Sequence, residues 1–277
     1  MSWPMTTEVD SRMWTRDSLA EFLEVEMVPR ARSTLEPIPS ERALSESLGV
    51  SRSLVREVLR GLEQRGLIEI VPGKGAYARH PSSAGLARTM RSVLAAKHSA
   101  PDDLVEARAS LETQTAALAA LRATTSDIEA ISRALDDFAC ADSLALRAAA
   151  EISFHALIAR ASHNAVLSTI FDSISTMLFE SMIRSLADGG TRSSGADTHR
   201  AIFKAIADGD GEGAEVAMRK HIDTTSHPHV DADERLDRLV ADVLARTYGP
   251  GYALEDIVEE ALQRYDSDRP IVRGSLR

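Results

Sequence analysis

The chain of 277 residues has a single cysteine, Cys140. One thiol excludes an intrachain disulfide and any metal cage built from cysteines. It makes a reducing cytoplasm the expected compartment, with Cys140 itself expected as a small buried side chain. Aromatic residues are scarce, at 4%. The sequence offers no apolar run expected to span a bilayer. Residues 1–10 lack the basic and apolar regions of a signal peptide. No membrane partner is therefore expected.

What is present points to a folded, helical protein. The composition is 44% hydrophobic and 27% charged, enough apolar material to bury real cores. The length suits two domains. Ala, Leu, Arg and Glu are plentiful, and these side chains lose little rotamer freedom in a helix. The net charge of -10 is unevenly spread. Residues 1–80 carry 11 Lys+Arg against 12 Asp+Glu, residues 81–277 carry 21 against 30, and residues 40–80 carry 7 against 5. Positive charge is thus concentrated in one short stretch, the footprint expected of nucleic-acid binding.

That stretch has a readable grammar. Residues 13–28 predict a first helix, with Leu19, Phe22, Leu23 and Met27 at helical spacing. Pro37-Ile38-Pro39 breaks the chain, Ser40 caps a second helix, and Glu41 places a carboxylate in its first turn. Ala43, Leu44, Ser47 and Leu48 are the expected inner face, and Gly49 the left-handed stop. Ser51 then caps a third helix, where Val55, Val58, Leu59 and Leu62 form an apolar stripe. Arg52, Arg56 and Arg60 step by four along another face. Gly66 ends the helix, and Leu67–Val71, Pro72-Gly73-Lys74-Gly75 and Ala76-Tyr77-Ala78 read as strand, turn and strand. Two helices around a short turn, followed by a hairpin, make a winged helix-turn-helix. In it Arg52 and Arg56 are placed for guanine edges in the major groove. Ser53 is placed for a base or the backbone, and Arg42 for a phosphate. Gly73 lets the wing approach the minor groove without a Cβ.

Pro39-Ser40-Glu41-Arg42-Ala43-Leu44, Leu48-Gly49-Val50-Ser51-Arg52, Val55-Arg56-Glu57-Val58-Leu59 and Leu62-Glu63-Gln64-Arg65-Gly66-Leu67 closely resemble the DNA-binding domain of the GntR family of bacterial regulators. The resemblance implies DNA contacts at Arg42, Ser51, Arg52, Ser53, Arg56 and Gly73. Leu54 departs from the small polar residue or proline frequent in that slot of the family.

After a polar linker at 80–85, the sequence reads as helix over 86–97, 102–123, 126–139, 142–162, 164–187, 197–208 and 212–226, with no strand signal. Leu104, Ala107, Leu111, Leu118 and Leu121 mark the expected inner side of the second of these. Glu151 and His155, four apart, project from one helix face. With His199 and His221 they make a donor set that suits Zn²⁺, Ni²⁺ or Mn²⁺. On spacing alone this signal is weak, and unrelated structural or surface histidines are the preferred reading. His98, His163, His227 and His229 receive no function.

Arg108-Ala109-Ser110-Leu111-Glu112, Glu151-Ile152-Ser153-Phe154-His155, Ser162-His163-Asn164, His199-Arg200-Ala201-Ile202 and Met218-Arg219-Lys220-His221-Ile222 resemble the FCD ligand-binding domain of the FadR-type branch of that family. The resemblance implies an antiparallel helical bundle with a divalent metal, zinc first among candidates, held by Glu151, His155, His199 and His221. The family's usual aspartate is here the longer Glu151. Its ligands are mostly small carboxylates completing the metal shell. Arg108 is then placed to pair with the carboxylate, while Asn164 reads either as a pocket residue or as a helix cap.

The expected architecture is therefore mainly α, with a winged helix-turn-helix over 11–79, a linker over 80–85, an antiparallel all-helical effector, metal and dimerisation domain over 86–229, and an extension over 230–277. The extension has two helical patterns, 233–247 and 253–265, and a disordered end from Ser267. It can pack on its own bundle, swap to a partner or brace the DNA-binding domain. The expected function is a cytoplasmic, homodimeric repressor that binds an inverted-repeat DNA operator and answers to a small carboxylate. A metal-free regulator sensing a larger apolar acid such as an acyl-CoA stands as the alternative, and a helical metalloenzyme as the more distant one.

Overall fold

The computed structural model describes residues 14–34, 36–79, 83–187, 194–225 and 234–265. They form two compact units divided after Gly85. Residues 80–82 of the expected linker, the Gly189-Gly190 loop, His227, His229 and the segment from Ser267 lie outside the described residues.

The first unit begins with α1 (Arg16–Phe22), started by a reciprocal pair of bonds in which Thr15 Oγ1 accepts from the Ser18 N–H and Ser18 Oγ from the Thr15 N–H. A π-helical turn (Leu23–Met27) joins it to α2 (Val28–Thr34). The helical run thus continues past the predicted stop at residue 28. Pro29 has no N–H for the Val25 carbonyl and its ring crowds the preceding turn. The wider π turn lies where that crowding would otherwise break the helix.

The next helices, α3 (Glu41–Leu48) and α4 (Arg52–Gln64), start where their caps predict. Ser40 Oγ accepts from the Ala43 N–H and Ser51 Oγ from the Leu54 N–H. Gly49 takes φ +68°, the left-handed value that separates the two helices. Val55, Val58, Leu59 and Leu62 of α4 close on Leu44 and Leu48 of α3 and on Leu19, Leu23 and Met27. Ala43 and Ser47, expected inside, are exposed: a two-turn helix covers the core with the Leu44/Leu48 stripe alone. The wing is an antiparallel pair, β1 (Ile68–Val71) and β2 (Gly75–Ala78), in the register Ile68–Ala78 to Val71–Gly75. Ile38 adds one bridge to Ala76.

The second unit is helical throughout its described residues: α5 (Ser83–Ala96), α6 (Pro101–Arg122), α7 (Thr125–Cys140), α8 (Leu144–Ala161), α9 (Ala165–Ala187), α10 (Ser194–Ala207), α11 (Gly211–Thr225), α12 (Glu234–Tyr248) and α13 (Leu254–Gln263). Its centre is α8, buried around its whole circumference, as a helix without a polar face must be. Phe154, Ile158 and Ala161 face a core shared with α6, α7, α10 and α11. Ala148, Ala149, Ile152, Ala156 and Ala159 face a second core shared with α9, α12 and α13. The seven buried alanines of α8 let its neighbours approach closely.

Three expectations are corrected here. Cys140 is exposed: it is the last residue of α7, at the helix end rather than on its buried face. Ala107 and Leu121 are exposed, and the buried side of α6 instead carries Arg108, Leu111, Glu112, Thr115, Ala116 and Ala119. One helix, α9, does reach the length and mean hydropathy (1.3) of a membrane span. Phe171, Leu178, Phe179, Met182 and Ile183 along it are core residues of the bundle, which is what makes it so apolar.

The two helices of the extension pack on the chain's own bundle. Leu244, Ile257, Val258, Ala261 and Leu262 enter the α8/α9 core. Ser153 Oγ donates to the Ala261 carbonyl at 2.7 Å, and Arg160 donates to the Leu262 carbonyl.

Candidate metal centre and nucleic-acid interface

Three helices bring the predicted donor set together. Glu151 and His155 project from α8, His199 from α10 and His221 from α11, and one ligand atom of each lies within 4.8 Å of the others. All four are buried. Nε2 of His199 is 3.9 Å from Glu151 Oε1. Both ring nitrogens of His199, and Nε2 of His221, have no hydrogen-bond partner in the protein. A buried polar atom left unpaired is costly, and unpartnered imidazole nitrogens of His199 and His221 gathered with His155 and the Glu151 carboxylate fit a divalent cation. Burial holds the His199 and His221 imidazoles well below the usual histidine value, helped for His221 by His199 beside it. They are neutral, with lone pairs to offer. Burial likewise pushes the Glu151 carboxyl up, against the pull of His155 and Arg108.

The surroundings orient these donors. Phe154 packs against both His155 and His199, with ring centroids 5.4 and 4.7 Å away, and Phe138 meets His199 edge-on at 4.9 Å. Thr198 Oγ1 is 3.0 Å from His221 Nδ1, which leaves Nε2 as the inward atom.

Glu112 is the residue that sequence reasoning passed over. It is 1% exposed, and its Oε2 stands 2.6 Å from His155 Nδ1. Its Oε1 accepts from Arg108 Nε at 2.7 Å. Arg108 Nη2 in turn lies 3.3 Å from His155 Nε2. Both contacts call for the same tautomer, with the proton on Nδ1 and the lone pair on Nε2. Burial alone would raise the Glu112 carboxyl, but Arg108 and His155 more than offset it and hold it well below the usual carboxylate range. The signal was available: Glu112 sits four residues after Arg108, the spacing at which charged side chains on a helix meet.

A narrow cavity adjoins the cluster, with Arg108, Glu151, Ser181, Ser185, Thr225 and apolar side chains in its wall. Asn164 is not among its lining residues. Asn164 Oδ1 accepts from the Val166 and Leu167 N–H groups, the bonds of a cap at the start of α9.

In the first unit the predicted DNA contacts line one motif. Arg42, Arg52, Ser53 and Arg56 are exposed, and Ser51 is spent on capping α4. Gly73 at the wing tip has φ +74° and open space where a Cβ would stand, so its conformation favours glycine. Arg56 is not idle: Glu41 grips it from α3. That bond, with Arg60 and Arg52 nearby, holds the Glu41 carboxyl below its ordinary value even against its slight burial. Leu54 is half-buried against the core of the unit.

A winged helix-turn-helix followed by a helical bundle with a buried donor set defines a DNA-binding regulator. Comparison with known proteins agrees. Residues 16–77 match the family described as bacterial regulatory proteins, gntR family, and residues 103–224 match the FCD domain. The chain is 33% identical over 193 residues to the HTH-type transcriptional regulator LutR of Bacillus subtilis (strain 168), covering 68% of this chain and 88% of that one. It is equally identical, over 193 residues, to a putative L-lactate dehydrogenase operon regulatory protein of Escherichia coli (strain K12), covering 67% and 74%. The solved structure of a Streptococcus agalactiae GntR protein shares the fold, with a TM-score of 0.54 at 24% identity, over 72% of this chain and 98% of that one. The chain belongs to the GntR family of transcription regulators and carries an FCD domain; these relatives are regulators, not enzymes.

Proposed function

We propose that this regulator is a repressor whose operator affinity is set by a small carboxylate bound beside a divalent metal in the second unit. The observation that carries this reading is the buried convergence of Glu151, His155, His199 and His221 next to a cavity walled by Arg108. The metal, with zinc first among candidates and nickel and manganese after it, would supply a positive charge and an open position for a carboxylate oxygen. Arg108 offers planar donors for the same carboxylate. The narrow, hydroxyl-bearing wall favours a small acid over an acyl chain. The name of one relative ties it to an L-lactate dehydrogenase operon, which makes L-lactate the first probe.

In the DNA-binding unit Arg52 and Arg56 read base edges, Ser53 assists, and Arg42 and the backbone around Ser51 and Gly73 meet phosphates. A homodimer presents two such units to an inverted repeat. The carboxylate acts only if it binds one arrangement of those units more tightly than the other.

The test is DNA binding by the full chain, with and without Zn²⁺, across a panel of small carboxylates headed by L-lactate. One acid should shift operator affinity in metal-loaded protein and lose that effect after chelation. Unchanged DNA affinity at every acid concentration would overturn the reading. A reporter behind the operator, silent with the chain and active without it, marks repression; the opposite response marks activation.

A further inference from the structure

In the recognition motif, Glu41 of α3 and Arg56 of α4 are fifteen residues apart and meet across two helices. Arg56 Nε lies 3.0 and 3.1 Å from the two carboxylate oxygens of Glu41, and Nη2 lies 2.7 Å from Oε2. The carboxylate therefore takes the side edge of the guanidinium, the edge formed by Nε and Nη2. The end fork, Nη1 with the second hydrogen of Nη2, is not used by this bond. That fork is the one that meets O6 and N7 of guanine as a bidentate pair.

We infer that Glu41 is a specificity-determining positioning residue, which clamps the side edge of Arg56 so that its end fork is held ready for a guanine in the major groove. The inference rests on the reading of Arg56 as a base contact.

An exposed ion pair adds little to stability, and both side chains here are substantially exposed, 52% for Arg56 and 36% for Glu41. The pair's effect is therefore sought in orientation. A carboxylate on a DNA-facing motif also repels phosphate. The helix dipole accounts for an acid in the first turn of α3, but not for its two-point hold on α4. The neighbouring pair Arg42–Glu46 makes the contrast: it lies within one helix, at 3.6 Å, between two more exposed side chains. Arginine is long and flexible, and fixing it before DNA arrives lowers the ordering cost of the base contact.

The experiment uses the full chain with a pool of random-sequence duplexes, comparing wild type, Glu41→Ala, Arg56→Ala and the double variant. Both single variants should lose preference at the same base pair of each half-site. Glu41→Ala should lose about tenfold in discrimination there, the scale of one bidentate base contact. Its affinity for random DNA should hold or rise, because a negative charge has gone. In the Arg56→Ala background, adding Glu41→Ala should cost no further discrimination. Glu41→Gln, which keeps one acceptor oxygen, should fall between wild type and Glu41→Ala. Melting curves matching wild type exclude misfolding as the cause. Undiminished preference in Glu41→Ala, or an equal loss in both backgrounds, would overturn the inference. If Arg56→Ala itself leaves every preference intact, the base-contact reading of Arg56 fails, and the clamp falls with it.

Discussion

The two units each contain an arginine tied through Nε to a glutamate, and the two pairs live in opposite surroundings. Arg56–Glu41 stands at the surface of the DNA-binding unit, exposed by 52% and 36%. Arg108–Glu112 lies inside the helical unit, exposed by 6% and 2%. At the surface, water stands ready to replace either partner, so the pair can be broken or redirected at little cost. In the interior, each charge depends on its partners for what water would have supplied. That is why Glu112 has a third member, His155, on its other oxygen. The same chemistry thus stands in water in one unit and is locked among buried partners in the other.

The comparison breaks most readily at Glu112. Replacing it with alanine leaves Arg108 charged and buried, and the helical unit should lose about 3–5 kcal/mol. Thermal or denaturant unfolding reads that directly. Exchanging both members, Arg108→Met with Glu112→Leu, should recover much of the loss, since no lone charge remains. Glu41→Ala in the other unit should leave its melting midpoint unchanged. Equal destabilisation by Glu41→Ala and Glu112→Ala would erase the distinction.

Of intermediate size is the loss of a cap. Ser51→Ala removes the hydroxyl that accepts from Leu54 N–H at the start of the recognition helix. It should cost about 1 kcal/mol, measured as unfolding of the DNA-binding unit, and should weaken DNA binding without redirecting its sequence preference.

The smallest expected effect is one of acid. Asp127 is partly buried, which alone would raise its carboxyl; bonds from Thr124 and His163 outweigh this and hold it below its ordinary value. A carboxyl lowered in the folded state stabilises above its unfolded pKa and loses that contribution as pH falls through the folded one. The cap of α7 should therefore hold through mildly acid solution and open only below the ordinary aspartate range. The Asp127 carboxyl signal in an NMR titration checks this; a midpoint at or above the ordinary value contradicts it.

Much of this was legible in the sequence, and what was legible was local. Ser40, Ser51, Gly49 and the Gly73 turn declare themselves within four residues, because caps and tight turns are made by near neighbours. The helix patterns of the second unit were readable for the same reason. The π turn before Pro29 was not, since the apolar spacing that marked the helix ran out at Met27 while the helical run went on to Thr34. Glu41 was legible as a first-turn acid but not as a partner of Arg56, because the angle between α3 and α4 decides that contact. The metal donors came from resemblance. Spacing puts Glu151 beside His155, but only the packing of α8, α10 and α11 brings His199 and His221 to them. Glu112 was hidden by the ordinary expectation that charges on a helix face water. Asn164, open between pocket and cap, uses its side-chain oxygen as a cap.

The account turns on whether the buried donor set holds a metal. The most direct measurement is the metal content of the full chain, purified without chelator or histidine tag, beside His155→Ala and His199→Ala. The account predicts about one divalent ion per chain, lost in both variants, with DNA binding still detectable because Arg52 and Arg56 lie in the other unit. A native chain without bound metal and unable to take up added Zn²⁺, or histidine variants that keep it, would contradict the claim.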